Sequence, residues 1–177
     1  RYSQRVVASE AVLRKWDLLS ADISKAFLQG VTYEELAKET GEPLREVNFY
    51  LPEYCIAHLR KIKGYEDFDP RREVLSCVRP GTGCMDAPRC WTLKLQRVTH
   101  VMWCAKPTTH DEHLIVRHHG HQRSLDFLAT EHVDDIKSGC QMDTLKQFIA
   151  ILEQAFGKGE LDITIKNFEC CGVRHTM

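Results

Sequence analysis

The sequence predicts an α+β domain, and three patterns carry that expectation. Two stretches set apolar residues at helical spacing: Trp91, Leu95 and Val98 in "DAPRCWTLKLQRV", and Met142, Leu145, Phe148, Ile149, Leu152 and Phe156 further on. Between them "VMWCA" (101–105), "HLIVRH" (113–118) and "LDFLAT" (125–130) are strand candidates. A mixture of strands and helices of this kind belongs to the α+β class.

Taken in order, "SEAVLRKW" reads as a short helix capped by Ser9, with Val12, Leu13 and Trp16 as its apolar stripe. "DLLSADI" (17–23) is a brief apolar run ending near a carboxylate, which suits a buried strand that delivers Asp22 to a sheet edge. Thr32 and Glu35 have the spacing of a capping box, opening a helix through Lys38 before the turn at Gly41, Glu42 and Pro43. A second helix is expected at about 52–61, a loop over "GYEDFDPRR" and a strand over "EVLSCV" (73–78). Asp86 is the expected cap of the helix that carries Pro88 in its first turn. "EHVDDIK" reads as a turn between two strands, and "LDITIKNF", after Gly157 and Gly159, alternates like a strand.

Composition bounds the function. A chain of 177 residues can bury roughly 70% of its unfolded surface as one domain. With 24 basic against 25 acidic residues it cannot coat nucleic acid by charge alone, although "LRKIKGY" (59–65) and the Arg71, Arg72 pair offer local cations. The first ten residues hold no apolar leader segment and no Cys-x-x-Cys pair occurs, so the eight cysteines read as reduced thiols, neither a disulfide framework nor a zinc site. The stretch "HDEHLIVRHHGH" (110–121) fits either a strand carrying surface histidines or a metal site. No apolar run approaches the ~20 residues a membrane span needs. The expectation is an intracellular, soluble protein.

The residues that point to chemistry are carboxylates: Asp22 at the end of a strand, and the adjacent Asp134 and Asp135 in a strand-turn-strand. Two neighbouring anions are tolerated where water screens them at a surface turn or where cations neutralise them. Mg²⁺ takes one or two carboxylates together with phosphate oxygens. Standing alone, an Asp-Asp pair reads as an exposed turn before it reads as a metal site.

The pair has company. "ADISKAFLQG" (21–30) resembles the first polymerase motif of copia-type reverse transcriptases, an Asp followed four and five residues later by Ala and Phe, then Leu and Gly. "HVDD" (132–135) resembles their Tyr-Val-Asp-Asp motif, with His132 in place of Tyr. "GCMDAPRCWTLKL" (83–95) resembles the middle motif, and "FECCGV" (168–173) falls where that family has its primer grip. The four stand in the family's order over most of the chain.

That resemblance implies a polymerase palm with part of the fingers, an antiparallel sheet packed by helices, within the Pol polyprotein of a Ty1/copia-type retrotransposon. It implies that 22–30 and 79–177 are palm, that 1–21 and about 31–78 connect fingers and palm, and that no thumb or ribonuclease H lies within the 177 residues. It implies RNA-directed DNA synthesis with Asp22, Asp134 and Asp135 as catalytic carboxylates, and two Mg²⁺ ions, or Mn²⁺ in their place, held by Asp22, Asp134 and the carbonyl of Ile23. Phe27 takes the position of the gate under the incoming sugar, a place a core aromatic also fits. Pro88, Arg89, His132, Cys171 and Gly172 fall at template and primer positions. The implied partners are an RNA or DNA template-primer and a deoxynucleoside triphosphate. Departures are Met85, where the family usually has Lys, and Asp86, which adds a negative charge. The alternative is a decayed or domesticated, non-catalytic palm serving as a structural or protein-binding subunit of a larger assembly, with apolar surface expected around Val6, Val7, Phe156, Phe168 and Val173.

Overall fold

The computed structural model of the chain describes residues 2–120, 124–170 and 173–175. Its elements run α1 (Tyr2–Arg14), β1 (Asp17–Ile23), α2 (Tyr33–Thr40), β2 (Asn48–Phe49), α3 (Glu53–Leu59), β3 (Leu75–Ser76), α4 (Ala87–Gln96), β4 (Lys106–Pro107), β5 (Leu114–His119), β6 (Ser124–His132), β7 (Asp135–Cys140), α5 (Met142–Phe156), β8 (Leu161–Ile165), β9 (Phe168–Cys170) and β10 (Val173–His175). Six strands form one antiparallel sheet in the order β4-β5-β6-β7-β1-β8. Pairs β2–β3 and β9–β10 stand apart as two-stranded ribbons. The protein is α+β, as its sequence predicts.

Alternation along the strands divides the sheet into two faces. Leu19, Ala21, Ile23, Phe127, Ala129, Ile136 and Cys140 turn to one face, where α4 supplies Trp91 and Leu95 and α5 supplies Leu145, Phe148, Leu152 and Phe156. Trp103, Phe127 and Phe148 meet there with ring centroids 4.8–5.3 Å apart, within the range where aromatic pairs add to area burial. Leu18 and Leu128 turn to the other face and meet Val7 and Ala11 of α1, with Trp16 beside them. Gly139 permits that approach, since a Cβ there would lie 3.3 Å from the Ala11 Cβ. Fully buried Lys137 faces α1 as well and donates from Nζ to the Gln4 carbonyl at 3.1 Å.

Several expectations need correction. α1 begins at Tyr2 and not at Ser9, so Ser9 is an interior residue and not a cap. Its buried face is Gln4, Val7 and Ala11, while Val12 and Leu13 are exposed, because the helix docks along β7 and β6. "VMWCA" is no strand. α4 runs on into a π-helical turn, Arg97–Met102, that drops Trp103 into the core, and the strand that follows is only Lys106–Pro107. "EVLSCV" pairs over two residues alone. Val7 and Phe156 are buried rather than exposed, Val6 packs against the α1 cluster, and the side chains of Phe168 and Val173 lie outside the described residues.

The helix at 33–40 begins as its sequence pattern dictates. Thr32 Oγ1 accepts from the Glu35 amide at 3.1 Å, and the Glu35 carboxylate accepts from the Thr32 amide at 2.8 Å. Arg97 reaches back from the end of α4 to Glu35 at 2.6 Å and also bonds Glu39. The Thr32 amide and the Arg97 guanidinium together hold the Glu35 carboxyl down at about 2, below its ordinary 4.5. A carboxylate with a lowered folded pKa stabilises the fold above its unfolded pKa and loses that contribution as pH falls. Half-exposed Glu35 is screened by water, so Glu35→Gln should lower stability at neutral pH by only about 1 kcal/mol. In denaturant melts the deficit should fade as pH drops from 4.5 towards 2.

Candidate active site

Strand β1 lies between β7 and β8, and its register decides what its last residues meet. Asp22 pairs across to Asp135 on β7 and to Asp162 on β8. Directly opposed residues share a face with Cβ atoms about 5 Å apart. Three carboxylates therefore stand in a row across three neighbouring strands, and His132 of β6 extends the row as the partner of Asp135. Asp134 sits one residue earlier, in the turn between β6 and β7, where its carbonyl accepts the Ile23 amide at 3.1 Å. On the other edge the Ser24 amide donates to the Glu160 carbonyl at 2.8 Å. The backbone through Asp22 is thus held from both sides.

The row occupies the face opposite α4 and α5, beyond the start of α1, where Asp22 and His132 are exposed and Asp134 and Asp135 are half-buried. The Asp22 carboxyl is pushed up from its ordinary value, first by partial desolvation against the sheet and then by the negative charges of Asp134, Asp135 and Asp162. No lysine or arginine forms an ion pair with Asp22, Asp134 or Asp162 among the described residues. Hard oxygen donors in such a row are chemistry that Mg²⁺ or Mn²⁺ satisfies. Among the described residues no group of three or more Asp, Glu, His or Cys side chains is already gathered tightly enough to hold a metal ion. The carboxylates would have to close on such an ion by rotamer change.

Helix α4 fixes this corner from behind. Trp91, buried, donates its indole N–H to the Val133 carbonyl at 2.5 Å. Val133 takes φ 55, a left-handed conformation that a β-branched residue adopts only under constraint. On its other flank α4 packs against Gly30, where a Cβ would lie 3.0 Å from backbone atoms of Cys90 and Trp91. One turn of helix therefore sets both the loop after Asp22 and the turn bearing Asp134. Buried Glu131, on the core face beside that turn, is pushed up to about 7 by desolvation, opposed by a hydrogen bond from Thr99.

The remaining sequence candidates are distributed as follows. Ile23 is buried, its backbone clamped as described. Phe27 lies half-buried in the 3₁₀ turn Ala26–Gln29, packed against the main core, five residues past Asp22. Pro88 is exposed in the first turn of α4. Arg89 is exposed too, but its guanidinium grips Glu42 through two bonds of 2.9 and 3.0 Å. Asp86 makes no cap bond and pairs instead with Arg45 at 2.8 Å, while Met85 is almost fully exposed. Cys171 and Gly172 lie outside the described residues. Asp162 was not among the sequence candidates. "LDITI" shows an acid on an exposed strand face, and nothing local says which strand it will lie beside.

Two measurements check this geometry. Gly30→Ala should cost about 1–3 kcal/mol, because backbone on both sides must give way, whereas Trp91→Phe keeps the packing and leaves the Val133 carbonyl without its donor, costing about 1 kcal/mol. Chemical denaturation reads both. Glu131 works oppositely to Glu35. Its folded pKa lies above its unfolded value, so stability is greatest below pH 4.5 and falls as pH rises through 7. Glu131→Gln should remove that fall, which is of order 3 kcal/mol, and be the more stable protein at pH 8.

No family model, no curated protein and no solved structure matches this chain.

Proposed function

We propose that the chain carries the carboxylate centre of a copia-type reverse transcriptase palm and acts in template-directed DNA synthesis. The observation that supports this most is the strand register: residues more than a hundred positions apart, singled out as Asp22 and Asp135, are direct cross-strand partners, with Asp134 in the adjoining turn. An exposed Asp-Asp turn with no functional reason would not need an unrelated acid beside it.

In this reading Asp22 and Asp134, with the Ile23 carbonyl, would hold the metal pair, and Asp135 and Asp162 would deepen the negative field that attracts it. When bound, two Mg²⁺ ions would lower the pKa of a primer 3′-hydroxyl and stabilise charge on the departing pyrophosphate. The hydroxyl oxygen forms the new bond to the α-phosphorus as the bond to the bridging oxygen breaks. Pyrophosphate leaves with that electron pair, and the hydroxyl proton passes to water. In the same reading a primer end would rest against His132, which shares the face of the row, and Phe27 would be the residue beneath the incoming sugar.

A second reading has its own support. Arg89 is engaged by Glu42, Met85 stands where the family usually has Lys, and no tight donor group is gathered among the described residues. These features favour a non-catalytic palm retained as a structural or protein-binding subunit.

Primer extension on an RNA template, with Mg²⁺ and deoxynucleoside triphosphates, separates the two. Extension should be present and drop at least about a hundredfold in Asp134→Asn, with the fold intact, as expected when an electrostatic group essential to the transition state is removed. Mg²⁺ should also raise the melting temperature of the native protein and not of Asp22→Asn, because a cation that binds only the folded state stabilises it by mass action. No extension together with no Mg²⁺ response would support the non-catalytic reading.

A further inference from the structure

The two edges of the six-stranded sheet are built differently. At one end β4 is only Lys106–Pro107, and a lysine and a proline on so short an edge are devices that block further strand pairing. At the other end β8 runs five residues, Leu161–Ile165, with no proline, glycine or lysine. It pairs with β1 on its inner side, and among the described residues no strand pairs with its outer side.

The ladder to β1 fixes which backbone groups that outer side presents. The Ser24 amide donates to the Glu160 carbonyl at 2.8 Å, and the Lys166 amide to the Leu18 carbonyl at 2.9 Å. Both bonds fall on even-numbered residues of this segment, and backbone groups alternate in direction along a strand. Asp162 and Thr164 therefore bond towards β1, while Leu161, Ile163 and Ile165 point their amides and carbonyls away from the sheet. The Ile165 carbonyl accepts the Asn167 amide at 3.1 Å and keeps a second lone pair. The side chains of the same three residues pack against the main core and are only half-buried. An open row of donors and acceptors thus runs beside an incompletely covered apolar row.

The sequence of this segment complements itself. Consider two β8 strands paired antiparallel about a two-fold axis at Ile163. Leu161 then lies opposite the second copy's Ile165, Ile163 opposite its own counterpart, and Asp162 opposite Thr164. All the outward residues stand in hydrogen-bonded pairs, each of which exchanges N–H···O bonds in both directions. Just beyond the strand, Glu160 comes opposite Lys166 at both ends of the pairing. The neighbouring registers are poorer. An axis at Asp162 sets that carboxylate against itself, a destabilising like-charge pair, and an axis at Thr164 leaves Leu161 with no partner inside β8. Glu160 and Lys166 are held within the chain only by loose surface contacts, at 3.6 Å to Lys25 and 3.9 Å to Asp17, so each is able to meet a second copy.

We propose that β8 is a self-association edge: two copies of this chain pair antiparallel through Leu161–Ile165 and join their sheets across a two-fold axis at Ile163. The blunted β4 edge makes the assembly close at two copies. The acidic row of each copy, which reaches the edge at Asp162, then meets that of the other on one continuous sheet face. This pairing does not depend on the polymerase reading.

Sedimentation equilibrium and amide hydrogen exchange on the full chain test it. The protein should pass from monomer to dimer, and no further, as concentration rises. Over the same range the amides of Leu161, Ile163 and Ile165 should become protected, while those of Asp162 and Thr164, bonded within the copy, change little. Glu160→Lys and Lys166→Glu should each weaken the dimer about 5-fold or more by setting like charges opposite one another, and the two changes together should restore it. Such rescue requires the two positions to face each other across the axis. Ile163→Pro should abolish the dimer, because it removes an outward amide and leaves the bonds to β1 in place. Its melting curve reports whether the edge still folds, and the charge reversals at exposed positions decide the matter where it does not. A monomer at every concentration, assembly beyond the dimer, or a dimer indifferent to the single charge reversals would overturn the proposal. The last of these would place the contact on another surface.

Discussion

Everything at the candidate site depends on the register of β1 between β7 and β8. A strand has a side-chain period of two, so slipping β1 by a single residue would turn Asp22 towards Trp91 and the α5 side chains and expose Ala21 or Ile23 in its place. The core enforces the observed register, because Leu19, Ala21 and Ile23 must all reach the helical face together. The alignment of Asp22 with Asp135 and Asp162 is a consequence of where apolar residues pack, although the acids themselves gain nothing from it. Their mutual repulsion is supported by hydrophobic burial on the reverse of the same strand.

The second constraint is α4, which joins two segments that have no direct sequence relation. Its close backbone approach to Gly30 positions the turn after Asp22, and the Trp91 indole positions Val133 and hence Asp134. A left-handed valine in a two-residue turn is costly in isolation. Here the strained residue lies between His132 and Asp134, with its carbonyl held by a buried donor. Strain, negative charge and solvent access coincide at this corner.

The molecule also divides its acids by environment. Glu35 is stabilised as an anion by an amide and a guanidinium, Glu131 is driven towards its neutral form by burial, and Asp22 is raised by desolvation and by its neighbours. Only the last combines accessibility with unrelieved charge. In the excursion over residues 41–79, Glu66, Asp69 and Glu73 accept instead from nearby backbone amides.

Local chemistry was enough to read several elements from the sequence. The capping box at Thr32 and Glu35, the stripe from Met142 to Phe156, and the run from Asp17 to Ile23 declare themselves within a few residues, because caps and periodicities are short-range. The adjacency of Asp134 and Asp135 is likewise a property of the chain alone. Other features were invisible there. Nothing near Ser9 shows that the helix starts seven residues earlier, since its docking on β7 and not its propensity sets its length and its buried face. "VMWCA" looks like a strand until α4 is seen to continue through a π-helical turn to bury Trp103. Asp162 enters the carboxylate row only by strand pairing, and the engagement of Arg89 by Glu42 joins residues 47 apart. The sequence by itself determined which residues could do chemistry and which short segments would coil or extend. Which of those residues meet was decided by the sheet register and by α4, because side chains far apart in the chain are brought together only where the burial of apolar groups places their strands.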